Sequence, residues 1–498
     1  MTAPLLPGLR QFNDTCNVYV VSSKKESIAI DFGSGAWLNE FEASGLPPLT
    51  HVFLTHHHPD QCAGLESASE WPFAIHASSA EEPFLSPQGV EQFWAQRRAG
   101  GVPRSYAVLP AGIPGITYDT EPWTEIYWGQ ERLRFIATPG HSRGAITVLA
   151  NIGAKQVAFC GDAAHTSGTI HKPYHLEWDH WTADGVRAAQ RGIECLRALK
   201  IHLLAPAHGP IIQDHVAREL TLLSRRLLRL GAAKGSICAG EPDRYHAPRF
   251  TPSGARIVVP GLYQFGSNSY LLHSDTGEAM MIDPYLPNMD LVPDLLAELD
   301  VKSVSLATAT HYHSDHSDGL PRLRSDYGAT IVLHPWVAEP LRDLNAMDVP
   351  WLPTEPIHAD SLMPEEGEWT WNEFTFQVAP LPGQTWWHCG LMTDIAGKRV
   401  LISGDSFQPA SRWNGTGGFC AFNGSHFSLG FKRSAEQIIK WAPDLLAAGH
   451  GTYFRFSPRY FQKVLKWATE AEEAMRELCP SGDLDQDYYL HDHSNQCS

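Results

Sequence analysis

The chain has no run of about 18 consecutive apolar residues, the length a membrane-spanning helix needs. Its opening, Met1-Thr2-Ala3-Pro4-Leu5-Leu6-Pro7, has neither a basic start nor a long apolar core, so a Sec-type signal is not expected. Basic residues are in short supply: 38 Lys and Arg face 55 Asp and Glu, a net charge of −17. A general nucleic-acid binder replaces counterions with basic patches, and this balance argues against one. Paired cysteines are lacking too. The nine cysteines are an odd number, widely scattered, with no Cys-x-x-Cys pair. That excludes a disulfide framework, fits a reducing compartment, and makes a cytoplasmic location the expectation. Cys160 ends the apolar run Val157-Ala158-Phe159 and reads as a small buried hydrophobe.

With 498 residues, 43% of them hydrophobic, the chain is too long for one ordinary core and suits two domains. Two short stretches confirm the division, because they are one stretch written twice. Thr55-His56-His57-His58-Pro59-Asp60-Gln61 follows the apolar run Val52-Phe53-Leu54; Thr310-His311-Tyr312-His313-Ser314-Asp315-His316 follows Val304-Ser305-Leu306-Ala307. Each run reads as a buried strand. The pattern His-x-His-x-Asp packs two imidazoles and a carboxylate just past a strand end, a donor set suited to divalent metal. A lone histidine carries little weight, but here the spacing repeats as well. Pro139-Gly140-His141, Cys160-Gly161-Asp162 and Ala207-His208-Gly209 answer to Pro382-Gly383-Gln384, Ser403-Gly404-Asp405 and Gly449-His450-Gly451. Asp162 follows His141 by 21 positions (162 − 141), as Asp405 follows Gln384 (405 − 384). His208 follows Asp162 by 46 (208 − 162) and His450 follows Asp405 by 45 (450 − 405). Chance does not reproduce such spacing, so both halves descend from one metal site.

On these residues the chain resembles the metallo-β-lactamase superfamily, carried twice. The resemblance covers nearly the whole chain. It implies an α/β fold, an αββα sandwich, in two tandem domains: 1–235 and 256–478, with a linker at 236–255 and an acidic tail at 479–498. It also implies two adjoining metal positions per domain. In the first half His56, His58 and His141 would hold one metal, Asp60 and His208 the other, with Asp162 bridging. In the second half His311 and His313 would serve the first metal, Asp315, His316 and His450 the second, with Asp405 bridging. Each half departs from the family pattern once. Gln61 stands where a histidine is usual, and Gln384 stands where the third histidine of the other metal belongs. A glutamine is a poor substitute for imidazole at zinc, being a neutral oxygen donor. The loss at Gln384 is the more damaging, so the first half is expected to be the active one. Asp31 and Asp283, each ending the second strand of an opening hairpin, are expected to support the metal loops from behind.

Helices are expected over about 182–199, 216–234 and 457–477, from apolar residues such as Leu220, Leu223, Leu227 and Leu230. Residues 71–128 and 334–372, rich in Pro, Gly and aromatics, are expected to shape clefts. His165, His171, His175 and His180 match no motif position and read as cleft or surface residues.

The implied activity is hydrolysis by a metal-bound hydroxide, on a thioester, ester, lactone or amide carbonyl. Asp60, and Asp315 in the second half, would orient the nucleophile and handle its proton. The expected cofactor is zinc, with iron or manganese as alternatives, up to two ions per domain. The expected partner is a small-molecule substrate, with no nucleic acid and no membrane; the sequence does not fix the oligomeric state. Two other classes are open. An oxidoreductase could hold one iron on His56, His141 and Asp162 and oxygenate persulfides, and a catalytically weak metal-binding protein would need no turnover at all.

Overall fold

The computed structural model describes residues 5–66, 71–99, 107–129, 131–172, 182–235, 248–347, 349–409, 416–419 and 423–480. Each half is two sheets face to face with helices outside them. In the first half one sheet runs Leu9–Asn13, Asn17–Ser22, Ser27–Ile30, Leu49–Phe53, Ala74–Ala77, Ile116–Tyr118, antiparallel at first and parallel from Ser27–Ile30 onward. The other runs Glu125–Trp128, Glu131–Ala137, Ile146–Ile152, Lys155–Gly161, Leu203–Pro206, with the last pair parallel. The second half repeats the scheme with a sheet from Arg249–Phe250 to Ser361–Leu362 and another from Gly367–Trp371 to Phe454–Arg455. The expected tandem αββα sandwich is therefore present.

The sheets are buried on both faces, and the period of two decides which core each side chain joins. Along Asn17–Ser22, Val18 and Val20 face outer helices, while Tyr19 and Val21 face the opposing sheet. Along Lys155–Gly161, Val157 and Phe159 point between the sheets, while Ala158 and Cys160 point at helices. Burial pushes the Cys160 thiol up, and the residue is packing, as its apolar run implies. Cys16, Cys62, Cys160, Cys195, Cys389 and Cys479 are all free thiols.

The expected helices appear as Asp184–Arg197, Val216–Gly235 and Pro458–Leu478. Their apolar stripes do more than close separate domains. One cluster runs from Ile193, Leu220, Leu227 and Leu230 into Phe431, Ile438, Phe461, Val464 and Ala471 of the second half. Helix Val216–Gly235 packs on helix Pro458–Leu478. Trp467 Nε1 donates to the Ala233 carbonyl at 3.2 Å, and Arg229 reaches both Glu473 and Glu477. The two halves thus share one helical layer, and splitting them would expose a large apolar surface.

Of the stretch read as a linker, 236–247 lies outside the described residues, and Arg249–Phe250 already pairs with Arg256–Val259 at the edge of the second half's sheet. Residues 481–498 also lie outside the described residues. Among the described residues, no helix is long and apolar enough to cross a membrane.

Candidate metal centres

Each centre begins with an aspartate in a left-handed backbone conformation. Asp31 ends strand Ser27–Ile30 with φ 60°, and Asp283 ends Glu278–Ile282 with φ 54°. Such a backbone costs a non-glycine residue on the order of 1–3 kcal/mol, so something must hold it. Asp31 Oδ1 accepts the Thr55 N–H at 2.8 Å, and the Thr55 hydroxyl lies 3.0 and 2.9 Å from the two carboxylate oxygens. Burial pushes the Asp31 carboxyl up to about 8, against the pull of those Thr55 hydrogen bonds. Thr55 has one hydroxyl proton, which goes to Asp31. His56 Nδ1, 3.1 Å from that oxygen, must then be the donor. The tautomer this selects leaves a lone pair on His56 Nε2, a buried atom with no hydrogen-bond partner. The second half repeats the arrangement: Thr310 N–H and Oγ1 donate to Asp283 at 2.6 and 2.8 Å, and His311 Nδ1 lies 3.1 Å from Thr310 Oγ1.

The glycines before Asp162 and Asp405 have a matching reason. Gly161 (φ 53°) and Gly404 (φ 49°) run against these threonines, where a Cβ would sit 2.6 Å from Thr55 Oγ1 and 2.5 Å from Thr310 Oγ1.

In the first half the donor atoms of His56, His58 and His141 lie within 4.8 Å of one another, as do those of Asp60, Asp162 and His208. Asp162 joins the two groups. Its Oδ2 lies 3.3 Å from His141 Nε2 and 3.8 Å from His56 Nε2, and its Oδ1 lies 2.8 Å from His208 Nδ1. Burial disfavours the Asp162 charge, but His208, His141 and His56 outweigh it and hold the carboxyl well below the usual range. His208 is desolvated, yet Asp162 and Asp60 push its pKa up to about 11. His56 is lowered by burial. A cluster that stabilises added positive charge this strongly suits a cation, which competes with protons for the same donors. The residues present fit a divalent metal.

In the second half the groups are His311, His313, Asp405 and Asp315, His316, His450. His316 Nδ1 faces Asp283 at 3.1 Å, and its Nε2 lies 3.5 Å from both Asp315 and Asp405. His450 Nε2 lies 3.2 Å from Asp315 and 3.3 Å from Asp405. His313 gives its Nε2–H to Asn423 Oδ1 at 2.9 Å, which frees Nδ1 for the centre. Gln384 directs its Nε2–H to Asp405 Oδ2 at 3.1 Å. His388, four residues on, is no substitute ligand: its Nε2 accepts the Asp405 N–H at 3.2 Å, and it joins none of the donor groups.

Sequence reasoning missed several supports. Glu81 is 1% exposed; it accepts the His57 N–H at 3.0 Å, pairs with His57 Nδ1, and accepts the Ser142 hydroxyl at 2.8 Å. It therefore ties the His56/His58 loop to the His141 loop. His171, read as a cleft or surface residue, stacks on His208 with ring centroids 4.2 Å apart and planes 7° apart. Neither belongs to a motif, and only the fold brings them in. Of the expected cleft residues, Trp128 is buried between the sheets and Trp336 stacks on Trp386. His175, His180 and Tyr106 lie outside the described residues.

The sequence model described as "Metallo-beta-lactamase superfamily" matches residues 13–230 and 262–450. The metallo-beta-lactamase fold-containing protein ST1585 of Sulfurisphaera tokodaii is 25% identical over 245 residues, 47% of this chain and 88% of its own length. Among solved structures, the metallo-beta-lactamase family protein TTHA1429 of Thermus thermophilus covers 46% of this chain and 82% of its own, with 19% identity and a TM-score of 0.34. A metallo-beta-lactamase of Cronobacter sakazakii covers 47% and 94%, with 16% identity and a TM-score of 0.35. The superfamily match spans most of both halves, and its two segments are the two sandwiches that carry the metal groups: the chain belongs to the metallo-beta-lactamase superfamily.

Proposed function

We propose that the protein is a metal-dependent hydrolase of a small carbonyl substrate, a thioester, ester, lactone or amide, and that the first half (1–235) does the chemistry. One observation carries this reading: three buried imidazoles, His56, His58 and His141, adjoin Asp60, Asp162 and His208, with Asp162 touching both groups. Zinc suits the three imidazoles, and a bound divalent ion supplies Lewis-acid activation of water and of a carbonyl oxygen. The chain supplies the rest. Asp60, its side chain 17% exposed, faces His208 Nε2 at 3.2 Å and can orient a water and take its proton. His171 covers one face of His208 and keeps bulk water off it. The second half (256–478) has Gln384 in place of the third imidazole and serves mainly as the partner of the shared helical core. The buried free thiols support a cytoplasmic location.

A second reading, an iron oxidoreductase acting on persulfides, draws on the approach of Asp162 Oδ2 to both His56 and His141. One experiment separates the two. Full-length protein, stripped and reloaded with metal, is offered a panel of thioesters, lactones and a chromogenic β-lactam, and separately a persulfide under oxygen. Metal-dependent hydrolysis without oxygen uptake supports the proposal; oxygen uptake with the persulfide and no hydrolysis overturns it.

A further inference from the structure

Each half has a glutamine in the corner where the other half has a histidine. Gln61 is the residue after the motif aspartate, as His316 is in the second half. Its Nε2 donates to Asp60 Oδ2 at 3.1 Å; His316 Nε2 lies 3.5 Å from Asp315 Oδ2. The carboxylate in each case also faces the last histidine at 3.2 Å, His208 or His450. Gln384 mirrors His141 in the same way. The amide Nε2 is 3.1 Å from Asp405 Oδ2, and the imidazole Nε2 is 3.3 Å from Asp162 Oδ2.

Both glutamines are buried, at 0% and 4% exposure, and both leave Oε1 without a hydrogen-bond partner. The amide nitrogen must face the carboxylate, because the oxygen would be repelled by it. This fixes Oε1 as the spare atom on the same carbon, beside the metal-site carboxylates. A buried acceptor of this kind calls for a donor or a cation. The same side chain can give its N–H to the carboxylate and its oxygen to a metal at once.

We propose that Gln61 and Gln384 are amide-oxygen ligands, and that the first half is built for two different metals. The position of His56, His58 and His141 is nitrogen-rich and takes zinc. The position of Asp60, Gln61, Asp162 and His208 is oxygen-rich and takes a harder divalent ion, of the manganese(II) or iron(II) class. In the second half Gln384 gives the His311/His313 position the same harder character. This rests on the metal centre of the proposed function.

The test uses the full-length chain, stripped with chelator and dialysed against Mn²⁺ in about tenfold or greater excess over Zn²⁺, because zinc binds a given site more tightly than manganese. Metal content is read by elemental analysis and by the Mn²⁺ electron paramagnetic resonance signal. Wild type is expected to retain both metals. Gln61→His should exchange about one equivalent of manganese for zinc, because imidazole favours the softer ion. Gln61→Leu should lose about one equivalent of manganese and gain no zinc in its place. Circular dichroism of each variant checks the fold. The inference is overturned if wild type takes zinc alone, or if Gln61→Leu holds as much manganese as wild type, in which case Oε1 meets only water. Absence of any bound metal in wild type would instead bring down the hydrolase reading itself.

Discussion

Glu81 grips His57, the residue between two candidate ligands, through the His57 backbone N–H at 3.0 Å and through its ring. The other carboxylate oxygen takes the Ser142 hydroxyl at 2.8 Å, next to His141. One buried side chain thus sets the spacing of the three-imidazole group. Glu81→Ala would leave the buried His57 N–H and the Ser142 hydroxyl unsatisfied, at roughly 1–3 kcal/mol each, and should destabilise the protein accordingly. It should also weaken metal retention in the first half more than in the second. Chemical denaturation and elemental analysis of the purified variant check both.

The same residue predicts an acid response. Burial would raise the Glu81 pKa, but His57 and the hydrogen bonds from His57 and Ser142 outweigh it and hold the carboxyl at about 2, below its ordinary 4.5. A depressed carboxyl contributes stability that is present above the unfolded pKa and is lost as pH falls through the folded one. Glu81 should therefore cost wild type stability between pH 4.5 and about 2. In Glu81→Gln that part of the slope should vanish, which denaturant midpoints measured across the range will show.

The shared helical layer predicts a single unfolding unit. Trp467 is 4% exposed, lies in the core common to both halves, and bonds Ala233 across the boundary. Trp467→Ala should cost roughly 3–5 kcal/mol, the range for truncating a buried aromatic. Differential scanning calorimetry should show one transition moving down whole, not one half melting early.

The candidate metal loops were legible in the sequence because their donor residues sit within a few residues of one another and recur in a second copy. The opening hairpins that end at Asp31 and Asp283 were legible too, as short apolar runs. Glu81 was invisible, since nothing in Ser79-Ala80-Glu81 points to a residue 24 positions earlier. The shared core was hidden for another reason. The leucine stripe of Val216–Gly235 declares that one face is covered, but not by which half. His388 shows that nearness along the chain is a poor guide: it lies four residues after Gln384, yet its Nε2 accepts the Asp405 backbone N–H.

Restoring the missing imidazole tests the asymmetry between halves. Gln384→His should add zinc capacity to the second half, because the His311/His313 position then gains the imidazole that His141 gives the first. His388→Ala should leave metal content unchanged, since His388 holds backbone rather than metal. Zinc titration of the two full-length variants reads both effects.

Turnover by two matched full-length variants tells whether the first half carries the hydrolytic centre. Asp60→Asn and Asp315→Asn alter equivalent carboxylates, each at the edge of its centre and neither in a core. On whichever substrate of the thioester, lactone and β-lactam panel wild type hydrolyses, Asp60→Asn should lose about a hundredfold or more in kcat, the range for a lost general base. Asp315→Asn should stay near wild type. The reverse pattern, with Asp315→Asn inactive and Asp60→Asn unimpaired, would contradict the account.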